Sequence, residues 1–207
     1  KGKLFTAAAD TAVAYSTAVD AAARGGKGPS LALKARHKFF DKTLYPKVRN
    51  VFGGKLTHAI SGASALSPQL AHFFRGAGVV VLEGYGLTET TAPATVNTVP
   101  LARVGSVGLA LPGSRIRIAD DGEVLIAGAG VFKGYHNNPE ANAAAFTGEW
   151  FHSGDTGSLD DDGFLTITGR KKDILVTAGG KNSAPGPMEE KIREHRLVSQ
   201  AVVVGEG

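Results

Sequence analysis

The 207-residue sequence predicts an α/β chain: a parallel-sheet subdomain with flanking helices, a small β-barrel-like subdomain, and a truncated α+β C-terminal domain. Three observations carry this expectation. Helical periodicity runs from Leu4 to Val51. From Gly53 to about Val104 the order is strand, helix, strand with short connections, the pattern of a parallel sheet. After Val104 short apolar strands alternate with dense turn signals, as in a small barrel or sandwich. The expected divisions are therefore residues 1–103, 104–169 and 170–207.

Residues 4–22 place Leu4, Ala8, Ala12, Tyr15, Val19 and Ala22 at spacings of three and four, one face of an alanine-rich helix. Gly25-Gly26 and Gly28-Pro29 end it, and Ser30 can cap a second helix whose inner face carries Phe40, Leu44, Val48 and Val51. The outer face, with Lys34, Arg36, Lys38 and Lys42, reads either as a solvated basic surface or as a contact for acidic lipid. Leu56–Ser61 predicts a strand, Ser67–Arg75 a helix opened by Ser-Pro, and Val79–Leu82 a strand that breaks at Gly84 and Gly86. Ligands of parallel sheets bind beyond the carboxyl ends of the strands, where Ser61–Ser64 and Glu83–Glu89 fall.

Strands are expected at Arg115–Ala119, Glu123–Ala127 and Phe164–Thr168, separated by Asp120-Asp121-Gly122, Gly128–Gly130 and Asp160–Gly163. Ile174–Thr177 begins another strand, Pro187–His195 predicts a helix, and Ala201–Val204 a last strand. A strand, a helix and a strand are too little for a self-sufficient core, hence the expectation of a truncated domain.

Apolar residues at 43% and charged residues at 20% exclude wholesale disorder. The net charge of +4 is not gathered into a basic stripe, which argues against nucleic acid as partner. No apolar run reaches the ~18 to 20 residues of a membrane span. The absence of cysteine excludes disulfides, thiolate metal sites and a Cys nucleophile, and is compatible with a reducing cytosol. KGKLFTAAAD has no signal-peptide layout, and a cytoplasmic protein, peripheral to a membrane if the basic face meets lipid, is the expectation.

Four stretches could carry chemistry. In Leu82–Thr90, Gly84 and Gly86 flank Tyr85, so backbone can approach a flat ligand while the ring offers a stacking face. Thr88 adds a hydroxyl and Glu89 a hard oxygen ligand suited to Mg²⁺, although such a turn is more often just a loop. In Phe151–Asp155, Asp155 could cap a turn or accept from both hydroxyls of a ribose, and His152 lacks partners at metal-ligand spacing and reads as structural. The run Asp160-Asp161-Asp162-Gly163 reads as a hairpin turn rather than a metal site. Gly169–Asp173 is either an exposed charged linker or a guanidinium beside a nucleotide next to a charged pivot, and Gly179–Asn182 is a flexible loop with one cation.

The order and spacing of these stretches resemble the adenylate-forming superfamily: acyl-CoA synthetases, adenylation domains of peptide synthetases, and beetle luciferase. The collinear matches are SGASAL (Ser61–Leu66), EGYGLTET (Glu83–Thr90), GSVGLALPG (Gly105–Gly113), GEVLIAGAGVFKGY (Gly122–Tyr135), WFHSGDTG (Trp150–Gly157) and GFLTITGRKKDILVTAGGKN (Gly163–Asn182). The last block and the following SAPGPMEE look most like the long-chain fatty acyl-CoA synthetase branch.

The resemblance implies a two-step reaction with ATP, Mg²⁺ and coenzyme A: a fatty acid carboxylate attacks the α-phosphate, pyrophosphate leaves, and the CoA thiol then displaces AMP. It implies that Gly62, Ala63 and Ser64 lie along the adenine edge with Glu83, Gly84 and Gly86 around it, and that Tyr85 stacks on the ring. Thr88 is expected on the α-phosphate, Glu89 on Mg²⁺, Asp155 on the ribose hydroxyls with Arg170 beside it, Lys172 at the hinge, and Lys181 near phosphate. The family's phosphate loop and its C-terminal catalytic lysine have no counterpart here, so a fragment unable to complete adenylation alone is expected. Ser153-Gly154-Asp155 stands where relatives often have Thr-Gly-Asp, a change that keeps the hydroxyl. The alternatives are an enzyme activating aryl or other acids for CoA or a carrier protein, and a non-catalytic nucleotide-binding module.

Overall fold

The computed structural model describes residues 2–62, 66–176, 182–193, 195 and 197–205. The chain forms two compact units: Lys1–Glu83 with Asn97–Gly105, and Gly84–Val96 with Ser106–Gly207. The expected α/β architecture is present, with the β-rich part curled as a half-barrel.

In the first unit the alanine-rich helix α1 spans Gly2–Ala23. Ser30 caps α2 (Leu31–Thr43), its hydroxyl accepting from Leu33 N–H at 3.2 Å. The single second helix expected from the apolar spacing is in fact two, because α3 (Tyr45–Val51) starts anew with Pro46 in its first turn. Proline has no N–H for the preceding turn and its ring crowds the carbonyl four residues back, so helical hydrogen bonding breaks at Leu44. The faces still converge: Ala8, Ala12, Phe40, Tyr45 and Ala77 form the buried cluster, with Leu44 and Val48 packed on it. Arg36 of the basic face donates from Nε to Thr11 Oγ1 at 2.8 Å, whereas Lys34, Lys38 and Lys42 are exposed. Strand β1 (His58–Ser61), helix α4 (Pro68–Ala77) and strand β2 (Val80–Tyr85) follow. β1 and β2 are parallel, in register from His58↔Val80 to Ser61↔Glu83. Among the described residues no helix is long and apolar enough to cross a membrane.

In the second unit, Gly84 and Tyr85 at the end of β2 pair antiparallel with β3 (Thr95–Val96), and β3 with β4 (Leu109–Ala110). A five-stranded antiparallel sheet follows, made by β5 (Ser114–Ile118), β6 (Glu123–Gly128), β7 (Phe146–Thr147), β8 (Trp150–Leu159) and β9 (Leu165–Arg170), in the order β5-β6-β8-β7 with β9 also on β8. Helix α5 (Pro139–Ala145) precedes β7 and was not foreseen in the sequence. The core of this unit is Ala94, Val124, Ile126 and Leu165, joined by Tyr85, Leu87, Ile116, Ile118 and Ile167. The Asp160–Gly163 run is the hairpin turn expected: Asp160 Oδ1 accepts from Asp162 and Phe164 N–H, and Gly163 N–H donates to Asp160 O. The C-terminal stretch supplies β10 (Leu175–Val176), antiparallel to β11 (Asn182–Ser183), and α6 (Pro185–Arg193). Ala201–Val204, expected as a strand, has no strand partner among the described residues; Val203 N–H donates to Glu189 Oε1 at 2.8 Å.

Candidate active site

Strand β8 passes through the Ser-Gly-Asp stretch instead of stopping at it. Glu123 of β6 lies opposite Thr156 and Leu125 opposite His152, so Val124 alone faces Ser153, Gly154 and Asp155. The surplus residues on β8 form a bulge, a device that bends a strand and redirects a side chain. Gly154 occupies the left-handed region at φ +73°, which a Cβ would strain. The amides freed from the ladder find side chains: Gly154 N–H donates to Glu123 Oε1 at 2.9 Å, and Asp155 N–H to Ser153 Oγ at 3.1 Å. The Ser153 hydroxyl in turn donates to Val124 O at 2.6 Å. A hydroxyl at position 153 thus stitches the bulge, which gives a physical reason for Ser or Thr there.

The bulge presents Asp155 to two partners. Tyr85 Oη donates to Asp155 Oδ2 at 2.7 Å, and Arg170 Nε lies 3.3 Å from Asp155 Oδ1, with Asp155 and Arg170 directly opposite in the β8–β9 register. Asp155 is 5% exposed, so these partners stand in for the water its carboxyl group lacks. Burial raises the Tyr85 phenol far above its ordinary range; the Ser153 contact opposes this, and the Asp155 carboxylate reinforces it.

Thr88 and Glu89 lie in a 3-10 turn, Thr88–Thr90, tied by Leu87 N–H donating to Thr90 Oγ1 at 2.9 Å. Glu89 is held at both ends by the segment after β6: Phe132 N–H donates to its main-chain oxygen at 2.8 Å and Tyr135 Oη to its Oε1 at 3.0 Å. Tyr135 is a site neighbour that sequence reasoning missed; it closes the GEVLIAGAGVFKGY block, and only the fold brings it to Glu89. Thr88 is exposed and Glu89 half-buried. Among the described residues no group of three or more His, Cys, Asp or Glu could hold a metal ion by itself. One carboxylate beside a hydroxyl fits a Mg²⁺ that keeps most of its waters and is carried mainly by phosphate oxygens.

The chain itself leaves no room for a side chain at Gly86 and little at Gly84. A Cβ on Gly86 would stand 2.9 Å from Ala94 N and 3.0 Å from Pro93 Cα, and one on Gly84 3.2 Å from Thr95 O. The close approach is therefore to the Ala92–Val96 backbone on the side where a side chain would stand.

A buried acid, Glu123, was missed as well. At 4% exposure it accepts from Gly154 N–H, contacts His152 Nδ1 at 3.1 Å and pairs with Lys171 Nζ at 2.9 Å; Lys171 also reaches Asp121 at 2.6 Å. Burial alone would raise the Glu123 pKa, but the donors from His152, Lys171 and Gly154 outweigh it and hold the carboxyl below its usual range. His152 is structural in this setting, bridging Glu123 and Thr147.

Gly62 is exposed in the first unit, and Glu83 of that unit is buried, accepting from Leu66 N–H at 3.1 Å. Lys172 is exposed in a 3-10 turn, Lys171–Asp173. Ala63, Ser64 and Lys181 lie outside the described residues.

A buried acid paired with an aromatic hydroxyl and a guanidinium is a polar cluster that a small ligand could use. Comparison with known proteins identifies the class: residues 9–136 match the AMP-binding enzyme family and residues 172–207 its C-terminal domain, and the chain belongs to that family. The long-chain-fatty-acid–CoA ligase FadD15 of Mycobacterium bovis is 51% identical over 206 residues, covering 100% of this chain and 34% of that protein. The long-chain-fatty-acid–CoA ligase ACSBG1 of Bos taurus is 36% identical over 174 residues, 80% of this chain and 24% of that protein. Among solved structures, O-succinylbenzoate coenzyme A synthetase from Bacillus subtilis in complex with ATP and magnesium matches with TM-score 0.66 and 30% identity, over 72% of this chain and 34% of that one. This chain thus spans about a quarter to a third of the length of these relatives.

Proposed function

We propose that this chain carries nucleotide-handling parts of an AMP-forming fatty acid–CoA ligase. In the reaction a fatty acid carboxylate oxygen attacks the α-phosphorus of ATP and pyrophosphate leaves; the CoA thiol sulfur then attacks the acyl carbonyl and AMP leaves. The protein's task is to position reactants and balance charge. Asp155, held by Tyr85 and Arg170, is placed to accept from ribose hydroxyls, and the Tyr85 ring offers a stacking face for adenine. Thr88 is assigned to the α-phosphate, and Glu89, oriented by Tyr135, to Mg²⁺, which would spread the charge of the phosphates when bound. Gly62, Ala63, Ser64 and Glu83 are assigned to the adenine edge and Lys181 to phosphate, on the strength of the family motifs. Coenzyme A is proposed as the second-step substrate, and division of the chain near residue 170 with Lys172 as hinge is supported by the C-terminal family match beginning at residue 172.

The single observation that carries this reading is the Tyr85–Asp155–Arg170 cluster, in which a buried carboxyl group is oriented by a phenol and flanked by a guanidinium. Identity of 51% to a fatty-acid ligase, against about 30% to the succinylbenzoate enzyme, favours a fatty acid over an aryl acid. The test is calorimetric titration with a hydrolysis-resistant acyl-adenylate analogue at two acyl lengths, beside Tyr85→Ala. Binding that strengthens with the longer chain and weakens in the variant is expected. Indifference of affinity to both would overturn the assignment.

A further inference from the structure

The bulge that displays Asp155 leans on Glu123, and so does the residue next to Arg170. One carboxylate therefore reaches both strands of the Asp155–Arg170 pair: Gly154 N–H on β8 at 2.9 Å and Lys171 Nζ just past β9 at 2.9 Å. We infer that Glu123 and Lys171 are positioning residues that fix Asp155 and Arg170 in the geometry a ribose requires.

The physical reasons are three. First, the Gly154 amide is freed by the bulge and needs a buried acceptor, and Glu123 supplies one. Second, Lys171 is held by two carboxylates, Asp121 at 2.6 Å and Glu123 at 2.9 Å, which restrains the backbone next to Arg170. Arg170 itself is exposed, with 58% of its side chain open, and pairs with Asp155 at an Nε–Oδ1 distance of 3.3 Å, so its own contacts restrain it weakly. Third, the Glu123 side chain is only 5% exposed, and water is a poor substitute for a lost partner there. Neither residue needs to touch a nucleotide. Their effect is to limit the ways Asp155 and Arg170 can move, which lowers the ordering cost on binding.

The functional half of this inference rests on the nucleotide reading above, so its test has two arms. The first uses amide hydrogen exchange of the chain without ligand. Glu123→Ala is expected to speed exchange at Gly154 and Asp155 by about tenfold relative to Ile126 in the same sheet, and Glu123→Gln, which keeps an oxygen that can accept from Gly154 N–H, to speed it less. Lys171→Met should do the same at Gly169 and Arg170, and Lys171→Arg should restore protection. Uniform acceleration at every amide, or none at Gly154 in either Glu123 variant, would overturn the positioning role. The second arm titrates AMP: the Glu123→Gln and Lys171→Met variants should bind at least fivefold more weakly, and their combination should lose less than the product of the two. If the wild-type chain binds no AMP, the nucleotide reading fails while the exchange arm still decides the positioning role.

Discussion

Tyr85→Phe isolates one oxygen at the centre of the site. The ring stays, and with it the packing against Ala94, Val124 and Leu165 and any stacking face. What goes is a hydroxyl that donates at 2.7 Å to a carboxylate 5% exposed to solvent. Hydrogen bonds to charged groups contribute roughly 1.5–3 kcal/mol, because the bare acceptor cannot recover its hydration when buried. Asp155 retains Arg170 and some access to water, so the lower part of that range applies, about 1.5–2 kcal/mol. That is a ten- to thirtyfold fall in the folding constant at about 1.4 kcal/mol per decade. Urea unfolding monitored by Trp150 fluorescence, analysed at matched slope, measures it directly. A midpoint shift worth less than about 0.5 kcal/mol would mean that Asp155 does not depend on the tyrosine, and the reasoning for a preorganised acid would fall.

Three further predictions follow from the same contacts. Asp155→Asn keeps the shape and removes the charge facing Arg170, and nucleotide affinity measured by calorimetry should fall at least tenfold; an unchanged constant would remove Asp155 from the site. Gly86→Ala forces a Cβ to within 2.9 Å of Ala94 N and 3.0 Å of Pro93 Cα, all backbone, and should cost about 1–3 kcal/mol in denaturant unfolding, whereas tolerance would show that the Ala92–Ala94 segment yields. Burial, then the nearby Asp41 charge, push the Tyr45 phenol up to about 12, with Arg36 opposing. The folded state thus holds that proton more tightly than the unfolded chain: the contribution is complete below pH ~10 and is lost as pH rises through about 12. Stability of the first unit should fall over that alkaline window in the wild type and lose most of this slope in Tyr45→Phe, which removes the titrating hydroxyl that donates to Ala8 O.

Much of the scaffold is legible because local chemistry dictates it. The spacing of Ala8 and Ala12 marks the buried face of α1, Ser30 caps α2 through its own hydroxyl, and Asp160–Gly163 turns the β8–β9 hairpin. Where the reading failed, a local signal was stronger or weaker than the pattern around it. Pro46 splits a run whose apolar spacing alone looks continuous. Strand β8 was not foreseen, because the bulge at Ser153-Gly154-Asp155 breaks the alternation that marks a strand. Tyr85, Asp155 and Arg170 could be named from motif order; the Asp155–Arg170 contact follows from strand pairing, whereas the Tyr85–Asp155 hydrogen bond needs the tertiary fold. Glu123 could not: an acid at a strand start beside Asp121-Gly122 looks solvent-facing, and its partners lie 29 to 48 residues away in sequence. Long-range charge pairing of that kind leaves no periodic trace in a single sequence.

The most direct measurement is amide chemical-shift mapping of AMP on the second unit's site, in the full chain. Shifts concentrated at Gly84–Thr90 and Ser153–Asp155, with Arg170 included and lost in Asp155→Asn, are expected. Saturable shifts confined to other surfaces, or none by the folded chain at millimolar AMP, would contradict a nucleotide site built on Tyr85, Asp155 and Arg170.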